Sequence, residues 1–103
     1  MATYQEVAEK FDITVDQAKL LRCAMRRTWG QIAWDWFDCF EGGEDEALRV
    51  YGSEEAMVAE ATIDAGRVNM YNPDADLDWL RTMPDGSRRR NVLKMAEAIW
   101  IAH

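Results

Sequence analysis

Carboxylates are what this chain has in quantity, and grouped carboxylates can act as acid–base pairs, as metal ligands or as an anionic contact surface. Of its nineteen Asp and Glu residues, thirteen lie between Asp35 and Asp78. That stretch holds two basic residues, Arg49 and Arg67, and so carries a net charge of −11. Residues 1–34 sum to +1 and residues 79–103 to +3, which gives −7 for the 103-residue chain. A row of carboxylates on a small protein often serves as a solvated face that maintains solubility. The sharper alternative is a surface that imitates the charge of a nucleic-acid backbone and occupies a basic groove on a partner, because net charge governs association more than fold.

Catalytic chemistry has little to draw on. An acid–base pair needs one carboxyl moved toward neutrality by desolvation, and no pattern in the sequence marks such a group. His103 is the single histidine and falls at an end expected to fray. No Gly-rich phosphate loop, nucleophile elbow or metal-ligand spacing occurs. Cys23 and Cys39 cannot form a zinc site with His103 unless carboxylates help. Both cysteines lie in apolar helical stretches, where small buried thiols without a disulfide are expected. The expectation is a non-enzyme with no catalytic residues, no metal and no cofactor.

Asp74-Ala75-Asp76-Leu77-Asp78, with Asp85 in twelfth place, resembles the opening of a calcium loop. Trp79 occupies the sixth place, where that loop needs Gly, and the bidentate Glu is missing. Helix capping after Pro73 accounts for these aspartates more simply.

Contact chemistry is better supplied. Residues 29–37, Trp-Gly-Gln-Ile-Ala-Trp-Asp-Trp-Phe, form the densest aromatic run. Trp29 and Trp36 share the apolar side of a helix, whereas Trp34 lies off it and is a candidate either for exposure or for packing beneath the acidic loop. Aromatic anchors flanked by charges suit a protein interface. The candidate partner-binding set is therefore Trp34, Asp35, Asp38, Glu41, Glu44, Asp45 and Glu46. Arg88-Arg89-Arg90 falls in the first turn of the last helix, where the macrodipole disfavours cations. Pairing with the chain's own acidic middle, or with an external phosphate or acidic partner, would compensate.

Helices must position these groups. Thr3 with Glu6 spells a capping box before Val7, Ala8 and Phe11, and Thr14 with Gln17 spells another. The second helix runs to about Phe40 with Ala18, Leu21, Met25, Trp29, Ile32, Trp36 and Phe40 as its buried stripe. Gly30 predicts a kink or break within it. A turn at residues 41–44 precedes a helix from Asp45 to Tyr51 that Gly52 ends. Ser53 caps a helix through Ala65 that carries small apolar residues suited to close packing. Residues 67–71 are strand-like but too short and without an evident partner. One or two helical turns are predicted over Asp76–Arg81. Asp85 or Ser87 opens a last helix whose face is Val92, Met95, Ala96, Ile99 and Trp100. The length fits one domain over residues 1–103, a single compact all-α bundle of five or six helices. No apolar run approaches the ~20 residues of a membrane span. The polar start lacks a signal-peptide layout, so a cytoplasmic protein is expected.

Residues 4–22 resemble a helix-turn-helix: a small residue in the first helix (Ala8), an apolar one after the turn (Ile13), and two inward apolar positions in the second helix (Ala18, Leu21). Asp12 stands where the turn usually carries Gly, a position that demands positive φ. The resemblance implies that the second helix enters a major groove with Val15, Asp16, Gln17, Lys19 and Arg22 facing outward. The nucleic-acid-binding residues would then be Gln17, Lys19, Arg22, Arg26, Arg88, Arg89 and Arg90, in a DNA-binding regulator that forms a homodimer. Against it stand Asp16 and the overall negative charge, because nucleic-acid binders show a basic footprint.

In size, charge and helicity the chain is similar to the small inhibitors that phages direct against host defence complexes. On that reading it is a non-catalytic acidic module that occupies a basic, nucleic-acid-binding surface of a partner protein. The DNA-binding regulator is the alternative.

Overall fold

The first four helices of this protein start where the sequence offers a hydroxyl cap or a glycine pair. The computed structural model describes residues 2–35, 41–64, 77–82 and 88–103, with the backbone alone at 32–35, 64, 81, 82 and 88–90. Helix α1 spans Tyr4–Phe11. Thr3 Oγ1 accepts the Glu6 N–H at 3.1 Å, a cap whose loss typically costs ~1 kcal/mol. Asp12 ends α1 in the left-handed region (φ 56°, ψ 49°), and its N–H donates to the Ala8 carbonyl. The Ile13 N–H reaches the same carbonyl at 3.0 Å, which is the bonding that closes a helix through a left-handed residue.

Two residues later α2 begins. The Thr14 N–H donates to Gln17 Oε1 at 2.8 Å, and the Gln17 N–H to Thr14 Oγ1 at 3.0 Å. This reciprocal box opens α2, Val15–Asp35. Of the kink or break expected at Gly30, the break does not occur, since α2 is continuous through it. A lone glycine costs about 1 kcal/mol, whereas each fully buried large apolar side chain returns roughly 1.5–3 kcal/mol. Leu21 and Met25 are both fully buried on this helix.

Helix α3 spans Gly43–Tyr51, starting two residues before the expected Asp45, and ends at Gly52. Ser53 Oγ accepts the Ala56 N–H at 3.1 Å and opens α4, Glu54–Ala59. The expected α-helix through Ala65 instead widens into a π turn over Glu60–Asp64. After Leu77 a 3-10 turn covers Asp78–Thr82, and α5 spans Arg88–Ile101. No strand occurs among the described residues. Residues 67–71, the caps Asp85 and Ser87, and Trp36, Phe40 and Cys39 lie outside them, as do Asp74 and Asp76 of the calcium-like run.

At the centre sits α4 with its π extension. Met57, Val58, Ala59, Ala61 and Thr62 are all fully buried, so this segment is enclosed nearly all round, and its neighbours are α2, α3 and α5. Ala59, Ala61, Met95 and Ala96 belong to one core cluster, and the α4–α5 interface is the most extensive among the described elements. From α2 the core receives Ala18, Leu21, Ala24, Met25 and Thr28, and from α5 Val92, Met95 and Ile99. Thr28 satisfies its hydroxyl by donating to the Ala24 carbonyl at 3.1 Å.

The expected frayed end is also corrected. The His103 N–H donates to the Ala2 carbonyl at 3.1 Å and the Tyr4 N–H to the His103 carbonyl at 3.2 Å. These bonds seat the start of α1 against the end of α5, and the two helices are in contact. No helix among the described residues is long and apolar enough to cross a membrane.

Candidate functional site

The acidic candidates gather at the start of α3. Glu41, Glu44 and Asp45 are exposed, and Glu46 is half-buried. Two glycines shape this turn for separate reasons. A Cβ on Gly42 would fall 2.8 Å from Glu46 Cβ, and Gly43 has φ +64°. The close approach lets Glu46 Oε2 accept the Gly42 N–H at 2.7 Å, so Glu46 caps its own helix. With Glu44 and Asp45 it also sits in the first turn, where the macrodipole favours each exposed carboxylate by about 0.3–1 kcal/mol. Glu41, Glu44 and Asp45 have no hydrogen bond or ion pair with any described residue. The other members of the set are not brought to this turn by anything described: Trp34 and Asp35 belong to the backbone of α2 with their side chains undescribed, and Asp38 lies outside the described residues.

The basic candidates separate. Lys19 and Arg26 are exposed on α2, as are Asp16 and Arg27. Gln17 is half-buried and consumed by the capping box. Arg22 is half-buried, donating its Nε–H to the Trp100 carbonyl at 3.1 Å with its Cζ 4.5 Å from the centre of the Trp100 ring. Arg88, Arg89 and Arg90 open α5, their side chains undescribed. Cys23, expected as a buried thiol, is exposed and free. It lies two residues after Leu21, about 200° around the helix at 3.6 residues per turn, and therefore on the solvent side of α2.

A second locus was not singled out from sequence. Between α2, the start of α4 and the end of α5 lies an open cleft of about 730 Å³, lined by Arg22, Arg26, Trp29, Glu54, Glu55, Trp100, Ile101, Ala102 and His103. Trp29 and Trp100 stand 6.1 Å apart, centre to centre, with planes tilted by 48°. The Trp100 Nε1–H donates to Glu54 Oε1 at 2.8 Å. Ile101 is 55% exposed, a large apolar side chain left to solvent at the rim. The signal that could have found this cleft is Trp100-Ile101 at the end of an otherwise buried stripe. No sequence rule, however, joins residues 22, 54 and 100.

No protein-family model, curated protein or solved structure matches this chain. Its chemistry has to be judged from its own side chains. Among the described residues no three His, Cys, Asp or Glu side chains converge on a position that could hold a metal ion. What the described surface offers is charge and aromatic area: an unpaired acidic turn at one end of α3, and an aromatic cleft with charged walls beyond the other end.

Proposed function

We propose that this protein is a non-catalytic acidic binding module that occupies a basic, nucleic-acid-binding surface of another protein, as phage inhibitors of host defence complexes do. The observation that carries the reading is that Glu41, Glu44 and Asp45, presented together at the start of α3, have no ion pair or hydrogen bond with any described residue. With a chain charge of −7, they supply steering toward a cationic partner and rim contacts with it. Trp34, Asp35 and Asp38 extend the contact on this reading, and Glu46 holds the turn in shape. The free, exposed Cys23 fits a reducing compartment such as the cytoplasm.

The test is capture of basic nucleic-acid-binding proteins on the immobilised chain, followed by elution with duplex DNA. Duplex should displace the partner, because both compete for one basic groove. Salt should release it too, since surface attraction is strongly screened between roughly 50 mM and about 500 mM ionic strength. The double substitution Glu44→Lys with Asp45→Lys should abolish capture. Retention of the same partner by that variant, in high salt, would remove the proposal.

One observation favours the second reading, a helix-turn-helix DNA-binding regulator. Asp12 takes the left-handed conformation such a turn requires, and Ala8, Ala18 and Leu21 are buried as that motif needs. The internal commitments of Gln17 and Arg22 weigh against it, leaving Lys19 and Arg26 beside Asp16 on the described face. A duplex mobility-shift assay at low salt separates the two, because even non-specific DNA binders adhere there.

A further inference from the structure

The 730 Å³ cleft is lined by residues of both charges, two arginines and two glutamates, drawn from different helices. Arg22 and Arg26 come from α2, Glu54 and Glu55 from the first turn of α4. Trp100 is the spacer: its ring holds the Arg22 guanidinium against one face, while its Nε1–H holds Glu54 at the edge. Among the described residues neither arginine forms an ion pair with either glutamate, so their charged atoms lie beyond the ~4 Å of such a pair. Trp29, Trp100 and Ile101 supply apolar and aromatic lining to the same cleft, the two indoles tilted against one another.

We propose that this cleft binds a small zwitterion with an apolar body, the chemistry of a free aliphatic or aromatic α-amino acid or of a short apolar peptide. The ligand carboxylate accepts hydrogen bonds from Arg26 and from the N–H groups of Arg22 that Trp100 does not use. Its ammonium group donates to Glu55 and to Glu54 Oε2, and its side chain lies on the indoles and Ile101. Simpler ligands fit less well. An anion meets the α4 carboxylates, a cation meets the α2 guanidinium groups, and a neutral apolar molecule removes water from four charges without pairing any. The volume lies within the ~300–1,000 Å³ of ligand pockets. This inference does not rest on the acidic-turn reading, because the nine residues of α3, at ~1.5 Å rise each, separate the two loci.

The test is a titration of the full ¹⁵N-labelled chain, following the indole Nε1–H signals of Trp29 and Trp100 and the Ile101 amide. The probes are L-leucine, L-phenylalanine and the dipeptide Leu-Leu, set against N-acetyl-L-leucine, which lacks the ammonium, and L-leucinamide, which lacks the carboxylate. Saturable shifts from a free amino acid or from the dipeptide support the proposal, and the tighter of the two names the source. Each singly charged analogue should bind ~2–5-fold more weakly, as should the parent ligand to Arg26→Gln or Glu55→Gln protein, the scale of an exposed charge pair. Neither side chain has a hydrogen-bond partner among the described residues, and an unchanged circular dichroism spectrum checks the fold. The Glu44→Lys, Asp45→Lys variant should bind the zwitterion as the parent does, which keeps this result distinct from the partner assay. Absence of saturable shifts from every zwitterion, or equal binding of the singly charged analogues, overturns the proposal.

Discussion

Arg22 on α2 is seated on Trp100 of α5, its Cζ 4.5 Å from the ring centre and its Nε–H bonded to the Trp100 carbonyl at 3.1 Å. Seventy-eight positions separate the two residues in sequence. The carbonyl belongs to the last turn of α5, where peptide oxygens lack an intrahelical partner and the macrodipole favours a cation. One side chain therefore caps a helix, covers an indole and ties α2 to α5. Trp100 passes the connection on to α4 through Glu54. A residue that the helix-turn-helix resemblance assigns to phosphate contact instead closes the fold.

Replacing Arg22 should thus be a stability change. Arg22→Ala is expected to cost about 1–2 kcal/mol, combining a partly exposed cation–π contact with a charge-assisted hydrogen bond. Arg22→Lys should recover only part of that, because an ammonium cannot stack as a planar guanidinium does. Urea unfolding followed by circular dichroism measures both, and an unchanged midpoint for Arg22→Ala would show that the contact adds nothing.

Asp12 holds φ 56°, a region that costs most side-chain-bearing residues roughly 1–2 kcal/mol. Asp12→Gly should stabilise by about 0.5 kcal/mol, the relief of strain being partly offset by the greater freedom of glycine in the unfolded chain. Asp12→Val, β-branched at the same position, should destabilise by about 1–2 kcal/mol. Thermal unfolding of the pair gives opposite signs if the turn is as described.

Two buried threonines make a contrast. Thr28 Oγ1 donates to the Ala24 carbonyl, whereas Thr62 Oγ1, fully buried in the π turn, has no hydrogen-bond partner among the described residues. Thr62→Val should be neutral or stabilising by up to ~1 kcal/mol, since an unsatisfied hydroxyl gives way to a methyl of similar size. Thr28→Val should be neutral or destabilising by up to about 1 kcal/mol. Denaturant midpoints that order the two the other way would contradict this account.

Cys23 is exposed on the solvent side of α2. Folded protein should react with a water-soluble thiol reagent at Cys23 without denaturant, and Cys23→Ser should lie within ~0.5 kcal/mol of the parent, as surface changes do. Protection of Cys23 until unfolding would show that α2 is rotated from the position described.

Local signals determined a good deal of this protein. The boxes at Thr3 and Thr14, the stop at Gly52 and the cap at Ser53 are read from a few adjacent residues, because capping is short-range chemistry. The apolar spacing of Ala18, Leu21 and Met25, and of Val92, Met95, Ala96 and Ile99, likewise fixed the inward faces of α2 and α5. The same signals went astray where packing outweighs propensity. Gly30 leaves α2 unbroken, Cys23 faces solvent from an apolar-looking stretch, and α4 widens into a π turn at Glu60. Only the tertiary arrangement decided that Glu54, Arg22 and Trp100 meet, that Glu46 serves its own helix, and that residues of both charges line one cleft with two indoles. Periodicity reports which side of a helix is buried. It carries no information about which other helix supplies the neighbour, and it is those neighbours that turn ordinary surface residues into a site.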